Sequence, residues 1–186
     1  MLLRLIKRDT LYRGRVFTIV VDELEYPSGG RTIREVAQPA GGAAVLAVFP
    51  DETIILVRQH RYPVDRFIWE LPAGKLNQHD AILEDPLGCA KRELEEETGY
   101  TASRWTAITS MYTTPGFCTE VLHLYLAQDL SKHPDGRRLE EGEETMTLHI
   151  LPLSEVKTMI DRGEIVDGKT ICGILLGERL LRKVKP

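Results

Sequence analysis

The chain is expected to form one α+β domain, and three features of the sequence predict it. Short apolar and β-branched runs alternate with Gly-, Pro- and Asp-rich turns, which is how strands read. Three further segments, 86–98, 154–162 and 170–182, carry the residue spacing of helices. No linker, repeat or low-complexity stretch interrupts them, so one domain spanning 1–186 with a sizeable core is expected.

Taken in order, residues 16–26 and 31–37 read as an antiparallel strand pair around the Ser28-Gly29-Gly30 turn. Residues 43–49 and 53–58 form a second pair around Pro50-Asp51-Glu52, and strands follow at 105–112, 121–127 and 146–151. The helix over 86–98 is the best delimited element. Asp85 can cap its amino end, Pro86 stands at the first helical position where its missing N–H costs nothing, and Gly99 supplies the stop. Leu87, Ala90, Leu94 and Thr98 share one stripe that can face a core.

Composition narrows the function classes. Twenty-four basic residues stand against 28 acidic ones, a formal net charge of −4, and the basic residues are dispersed. That argues against a dedicated nucleic-acid surface. Three isolated cysteines form no Cys-x-x-Cys pair and no disulfide framework, which points to a reducing, cytoplasmic compartment. Residues 1–7 are too short and too interrupted by charge for a signal peptide or a membrane span.

Chemistry concentrates on the 86–98 helix. Glu93, Glu95, Glu96 and Glu97 crowd into its second half, where they repel one another and face the negative end of the helix macrodipole. Each such placement costs from a few tenths to ~1 kcal/mol. A bound multivalent cation reverses the sign of all of them. Glu93, Glu96 and Glu97 stand at i, i+3 and i+4 and share the face next to that stripe, and hard oxygen ligands one turn apart suit Mg²⁺ or Mn²⁺.

The run Arg92-Glu93-Leu94-x-Glu96-Glu97-x-Gly99-Tyr100, with Glu84 eight residues before Arg92, resembles the Nudix box of Nudix hydrolases. The amino half of the box departs from the pattern, because Gln78 stands where the box glycine is expected. Gly74, in Leu71-Pro72-Ala73-Gly74-Lys75-Leu76, takes its place if the loop to Glu84 carries four extra residues within 77–83. Loops absorb such insertions cheaply. Val57-Arg58-Gln59-His60-Arg61-Tyr62 and Trp69-Glu70-Leu71-Pro72-Ala73-Gly74 are similar to the ADP-ribose pyrophosphatase branch. So is Tyr112-Thr113-Thr114-Pro115-Gly116-Phe117-Cys118-Thr119-Glu120, whose proline stands sixteen residues after Gly99.

The resemblance implies a Nudix fold: a mixed β-sheet sandwiched between helices, with an N-terminal antiparallel sheet over about 1–40 that takes part in a homodimer, and a catalytic core over 41–186. It implies metal ligation by Glu93, Glu97, the backbone carbonyl of Ala73 and Glu144, with Glu96 completing or orienting that shell. The general base falls in the run 140–144, where the expected position is Gly142; Glu143 or Glu141 then takes the role, and Glu143 is the candidate carried forward. Substrate contacts are implied for Arg34, Glu35, Arg61, Lys75, Pro115, Gly116 and Glu120. The adenine partner of the family is expected just after Gly14, where Arg15 and Val16 stand instead.

The expected activity is metal-dependent hydrolysis of ADP-ribose to AMP and ribose 5-phosphate, with Mg²⁺ as cofactor (Mn²⁺ in its place). The partners are a small nucleoside diphosphate sugar and a second copy of the chain, with no nucleic acid and no membrane. Two alternatives remain open at this stage: hydrolysis of another nucleoside diphosphate sugar, and an ADP-ribose sensor without turnover. Sensors usually lose box carboxylates, which this chain keeps.

Overall fold

The computed structural model describes residues 2–79, 82–139 and 141–184. The chain divides into two compact units. The first comprises residues 1–41 with 111–122, and the second comprises 42–110 with 123–186.

The first unit is built on an antiparallel sheet in the order β1 (Arg4–Arg13), β2 (Phe17–Glu25), β3 (Arg31–Pro39). The turn at 28–30 falls where the glycines were expected to put it; Tyr26 N donates to Gly30 O at 2.8 Å and Gly29 takes φ +84°. β1 was not foreseen, because residues 4–13 carry more charge than alternation. Its charges are matched across the ladder instead. Arg8 closes a two-pronged pair on the buried Asp22 at 2.7 and 2.6 Å, and the Arg8 fork holds the Asp22 carboxyl below its ordinary value. Residues 111–122 add a loop to β3, with Ala37 N bonded to Phe117 O at 2.8 Å and Thr119 N to Ala37 O at 3.0 Å. This unit therefore takes in a later segment that the expected 1–40 boundary left out.

The second unit holds β4 (Gly42–Ala47), β5 (Thr53–Arg61), β6 (Arg66–Glu70), β7 (Ala73–Lys75), β8 (Gln78–His79), β9 (Ile82–Leu83), α1 (Pro86–Thr98), β10 (Tyr100–Tyr112), β11 (Val121–Lys132), β12 (Thr147–Pro152), α2 (Leu153–Asp161) and α3 (Gly168–Val184). The tip of the β10–β11 connection belongs to the first unit. One sheet runs β10-β11-β4-β7, another β12-β5-β6, and β8 pairs with β9. β4 and residues 54–57 of β5 are wholly buried, as continuous apolar runs should be. β5 continues to Arg61, three residues past its expected end, because β6 pairs with its second half.

α1 forms where its caps predicted. Asp85 accepts from Gly88 N at 2.9 Å, Pro86 opens the helix, and Gly99 closes it at φ +71° with its N–H on Glu95 O. Cys89, Ala90 and Leu94 pack into a cluster with Ala43, Val45, Ala47, Ile55, Leu76 and Ala127. Emptying one side chain in this cluster tests its weight. Leu94→Ala should lower unfolding stability by ~2–5 kcal/mol, read from urea denaturation followed by circular dichroism. A loss below about 1 kcal/mol would mean that Leu94 is not the anchor of α1.

Candidate active site

The site grows from the side of α1 that faces its own core. Glu97 is 2% exposed and Glu93 8%, so two carboxylates share the buried stripe with Ala90 and Leu94. Two features of β7 make room for them. Ala73 N–H donates to Glu97 Oε2 at 3.0 Å. At Gly74 a β-carbon would stand 1.8 Å from Glu93 Oε1, so the glycine vacates the space that this carboxylate fills. Gly74 is thus the glycine that the acidic helix requires, and Gln78 lies on β8.

The extra loop residues are accommodated as a hairpin. Gln78 pairs with Leu83 and His79 with Ile82; Asp80 and Ala81 lie outside the described residues. The base of the hairpin is pinned by Glu84 N to Asn77 O at 2.8 Å and Asn77 N to Glu84 Oε2 at 2.9 Å. Glu84 in turn accepts from Arg92 Nε at 3.1 Å and Nη2 at 3.2 Å.

Arg92 is the local counter-charge. Its Nη1 donates to Glu93 Oε1 at 2.7 Å and to Glu96 Oε2 at 2.9 Å. One guanidinium does not balance the cluster. Burial pushes the Glu93 carboxyl up to about 7, against the pull of Arg92 and with repulsion from Glu96 and Glu143. Burial likewise pushes Glu97 up to about 8, with repulsion from Glu93 and Glu143 outweighing the Ala73 N–H. Glu84, where burial also works upward, ends below its ordinary value through Arg92 and Asn77 N.

The loop after β11 closes over the carboxyl end of α1. Arg137 Nε donates to Glu97 O at 2.6 Å, Arg138 N to Glu96 O at 2.9 Å, and the Arg138 side chain pairs with Glu95. These bonds occupy carbonyls that the helix leaves open. The same loop brings half-buried Glu143 to where its charge acts on both Glu93 and Glu97. Glu144 is exposed and turns back to accept from Gly142 N at 3.0 Å. Glu141 is exposed, and Glu140 lies outside the described residues.

The expected substrate residues are distributed over both units. In the second, Lys75 is exposed and its carbonyl accepts from Arg92 Nη2 at 3.2 Å. Arg61 is closed as a fork on buried Glu70, at 2.6 and 2.7 Å. Burial works to raise the Glu70 carboxyl, but Arg61 and Lys169 carry it below its ordinary value. In the first unit, Arg34 is exposed and bonds Thr32 Oγ1 at 2.7 Å and Ile33 O at 2.9 Å. Glu35 and Glu120 line a mainly apolar pocket of about 530 Å³ with Val16, Phe17, Val36 and Phe117. Pro115 and Gly116 form the exposed turn that leads into Phe117 and Cys118. Phe117, Arg137 and Arg138 were not among the expected site residues, because their roles depend on partners distant along the chain.

The donor set fits a hard divalent cation. Carboxylate oxygens predominate, they repel one another, and a bound cation would relieve both the repulsion and the cost of burying their charge. Among the described residues no three His, Cys, Asp or Glu side chains form a ready-made metal cage. A Mg²⁺ site needs only one or two protein carboxylates, because water and substrate phosphates fill the rest.

Buried glutamates on a capped helix, backed by a glycine, make an oxygen-rich site suited to a hard divalent cation. The NUDIX domain model matches residues 39–172, and the chain belongs to that family. An ADP-ribose pyrophosphatase of Bacillus subtilis (strain 168) is 40% identical over 169 residues, which cover 91% of this chain and 89% of its own. One of Mycobacterium tuberculosis (strain ATCC 25618 / H37Rv) is 38% identical over 171 residues, covering 91% and 80%. The crystal structure of an ADP compounds hydrolase superposes with a TM-score of 0.84, covering 100% of this chain and 97% of that one; at 21% identity the likeness concerns the fold.

Two outcomes follow from this geometry. Gly74→Ala forces Glu93 aside at little cost to the fold. Mn²⁺ affinity, measured by calorimetry, should fall ~10–100-fold with the thermal midpoint nearly unchanged, and wild-type affinity would remove Glu93 from the metal site. In the metal-free protein, Glu97→Gln removes a buried charge and keeps an acceptor for Ala73 N–H. The folded-state value of Glu97 lies above its ordinary value, so ionisation destabilises the fold as pH rises from about 4.5 toward about 8. The variant should therefore melt higher than wild type by on the order of 5 °C at pH 8, with the gain vanishing near pH 5. A pH-independent difference would show that burial of the charge is not its cause.

Proposed function

We propose that this protein hydrolyses the pyrophosphate bond of ADP-ribose, giving AMP and ribose 5-phosphate. The observation that carries the reading is the burial of Glu93 and Glu97 against Ala73 and Gly74, in a chain so similar to enzymes named for that substrate. Glu93 and Glu97, with the Ala73 carbonyl, hold the metal, and Glu96 orients the shell through the Arg92 that it shares with Glu93. When bound, Mg²⁺ (or Mn²⁺) supplies charge neutralisation on the bridging and terminal oxygens of the pyrophosphate.

Glu143 would accept the proton of the attacking water, being near enough for its charge to act on both buried carboxylates. The new P–O bond forms to that water oxygen, and the anhydride P–O bond breaks. Glu144, in the acidic loop 140–144, would be the further ligand; its Oε2 accepts from Gly142 N, which leaves Oε1 for a metal. Arg61 and Lys75 contact phosphate oxygens.

The first unit, taken by itself, offers a pocket suited to a nucleoside. Its apolar walls and the rings of Phe17 and Phe117 suit a base, and the Glu35 and Glu120 carboxylates suit the exocyclic amine of adenine or a ribose hydroxyl. Arg34, Pro115 and Gly116 complete the substrate contacts. The protein works in the cytoplasm, whose reducing conditions suit its three free cysteines. It acts as a homodimer through the first unit, where Leu5, Leu11, Tyr12 and Ile33 are exposed on β1 and β3.

The test is product release from ADP-ribose, ADP-glucose, GDP-mannose, NADH, diadenosine polyphosphates and CoA, with and without Mg²⁺. Metal-dependent AMP release should be fastest from ADP-ribose, and Glu97→Gln should lower it by at least ~10²-fold with the fold retained. Preference for GDP-mannose or ADP-glucose would overturn the substrate and keep the chemistry. Tight binding without turnover would overturn the enzyme.

A further inference from the structure

About one hundred residues beyond the Leu71–Gly74 segment, the start of α3 makes a set of ties to it that the proposed chemistry does not use. Asp167 caps α3: its Oδ2 accepts from Thr170 N at 3.0 Å and from Thr170 Oγ1 at 2.6 Å. Thr170 is fully buried, and its hydroxyl oxygen accepts from Leu71 N at 2.9 Å. Lys169 Nζ bonds Asp167 Oδ2 at 3.0 Å and pairs with Glu70, the residue just before Leu71. The helix also approaches very closely, since a β-carbon on Gly173 would stand 2.6 Å from Leu71 Cδ1.

These contacts fix residues 70 and 71 by charge, hydrogen bond and packing together. Two residues on, Ala73 N–H meets Glu97, and at Gly74 the α-carbon meets Glu93. Pro72 between them limits the backbone to few conformations, and its carbonyl accepts from Val45 N at 2.9 Å. A shift at Leu71 therefore passes to Ala73 with little slack. The hydroxyl of Thr170 ties the two segments together, because its one proton goes to Asp167 and one of its lone pairs receives Leu71 N–H.

We propose that Thr170, held by Asp167 and assisted by Lys169, is a positioning residue for the carboxylate site, setting the Leu71–Gly74 backbone on which Glu93 and Glu97 rest. The inference rests on the reading of that site as a metal-dependent hydrolytic centre. Thr170 touches neither metal nor substrate in this scheme; it acts through the backbone of Leu71.

The test compares Thr170→Val, which keeps the shape and removes the acceptor, with Thr170→Ser, which restores it. Gly173→Ala is a second, independent perturbation of the same contact, and it favours helix formation rather than weakening it. In Thr170→Val and Gly173→Ala, Mn²⁺ affinity measured by calorimetry should fall ~10–100-fold. For ADP-ribose, kcat at saturating substrate should fall about tenfold with KM within about twofold. Amide exchange at Ala73, followed by NMR, should accelerate about tenfold, and Thr170→Ser should restore all three. Lower thermal midpoints with wild-type Mn²⁺ affinity, kcat and Ala73 exchange would overturn the proposal and leave Thr170 a packing residue. If the wild type itself neither binds Mn²⁺ nor turns over ADP-ribose, the hydrolytic reading fails, and the Ala73 exchange rates alone decide the positioning role.

Discussion

Everything in the second unit is arranged around one unfavourable act, the burial of two like-charged carboxylates on the core side of α1. Water is the natural solvent of a glutamate, and Glu97 has exchanged almost all of it for a single backbone N–H. Such an arrangement persists only if the surrounding structure over-determines it. Cys89, Ala90 and Leu94 hold the helix to the sheet, Asp85 and Gly99 fix its ends, and Gly74 yields the volume that Glu93 takes up. The protein gives up stability at the place proposed for a cation, as functional sites commonly do.

The electrostatics around the helix obey the same logic of partial compensation. Arg92 divides one charge among Glu84, Glu93 and Glu96, which is enough to orient the three and too little to neutralise them. The last turn of α1 contains no basic residue of its own. Arg137 and Arg138 arrive from a loop about forty residues away and bond the open carbonyl end. A complete set of internal counter-ions would have been more stable and would have left nothing for a metal to do.

The helix could be read directly from the sequence because its signals are local. Asp85, Pro86 and Gly99 are capping chemistry, and they set its ends at the residues found. Its burial could be read only in part. Periodicity put Ala90 and Leu94 inward and assigned the glutamates to the neighbouring face, whereas Glu93 and Glu97 lie in the buried stripe itself. What turns them inward is β7, a three-residue strand with no pattern of its own. β1 was missed because residues 4–13 carry charge where alternation is expected; the charges are paired across the ladder, as Arg8–Asp22 is. The Glu70–Lys169 and Leu71–Thr170 ties join residues ninety-nine apart, and no window along the chain can show them.

The inserted residues before Glu84 show why such a site tolerates changes at its edge. Closing a somewhat longer loop costs little entropy, and here the added chain folds back on itself as β8 and β9. What must be conserved geometrically is the pair of ends, and both are pinned: Asn77 and Glu84 bond each other by backbone and side chain, and Glu84 is bound to Arg92. The insertion thus leaves the distance from Gly74 to Glu93 to be set by β7, α1 and the ties beneath Leu71. Rim and base of the site are governed by different contacts, so the rim can vary in length while the carboxylates stay where the chemistry needs them.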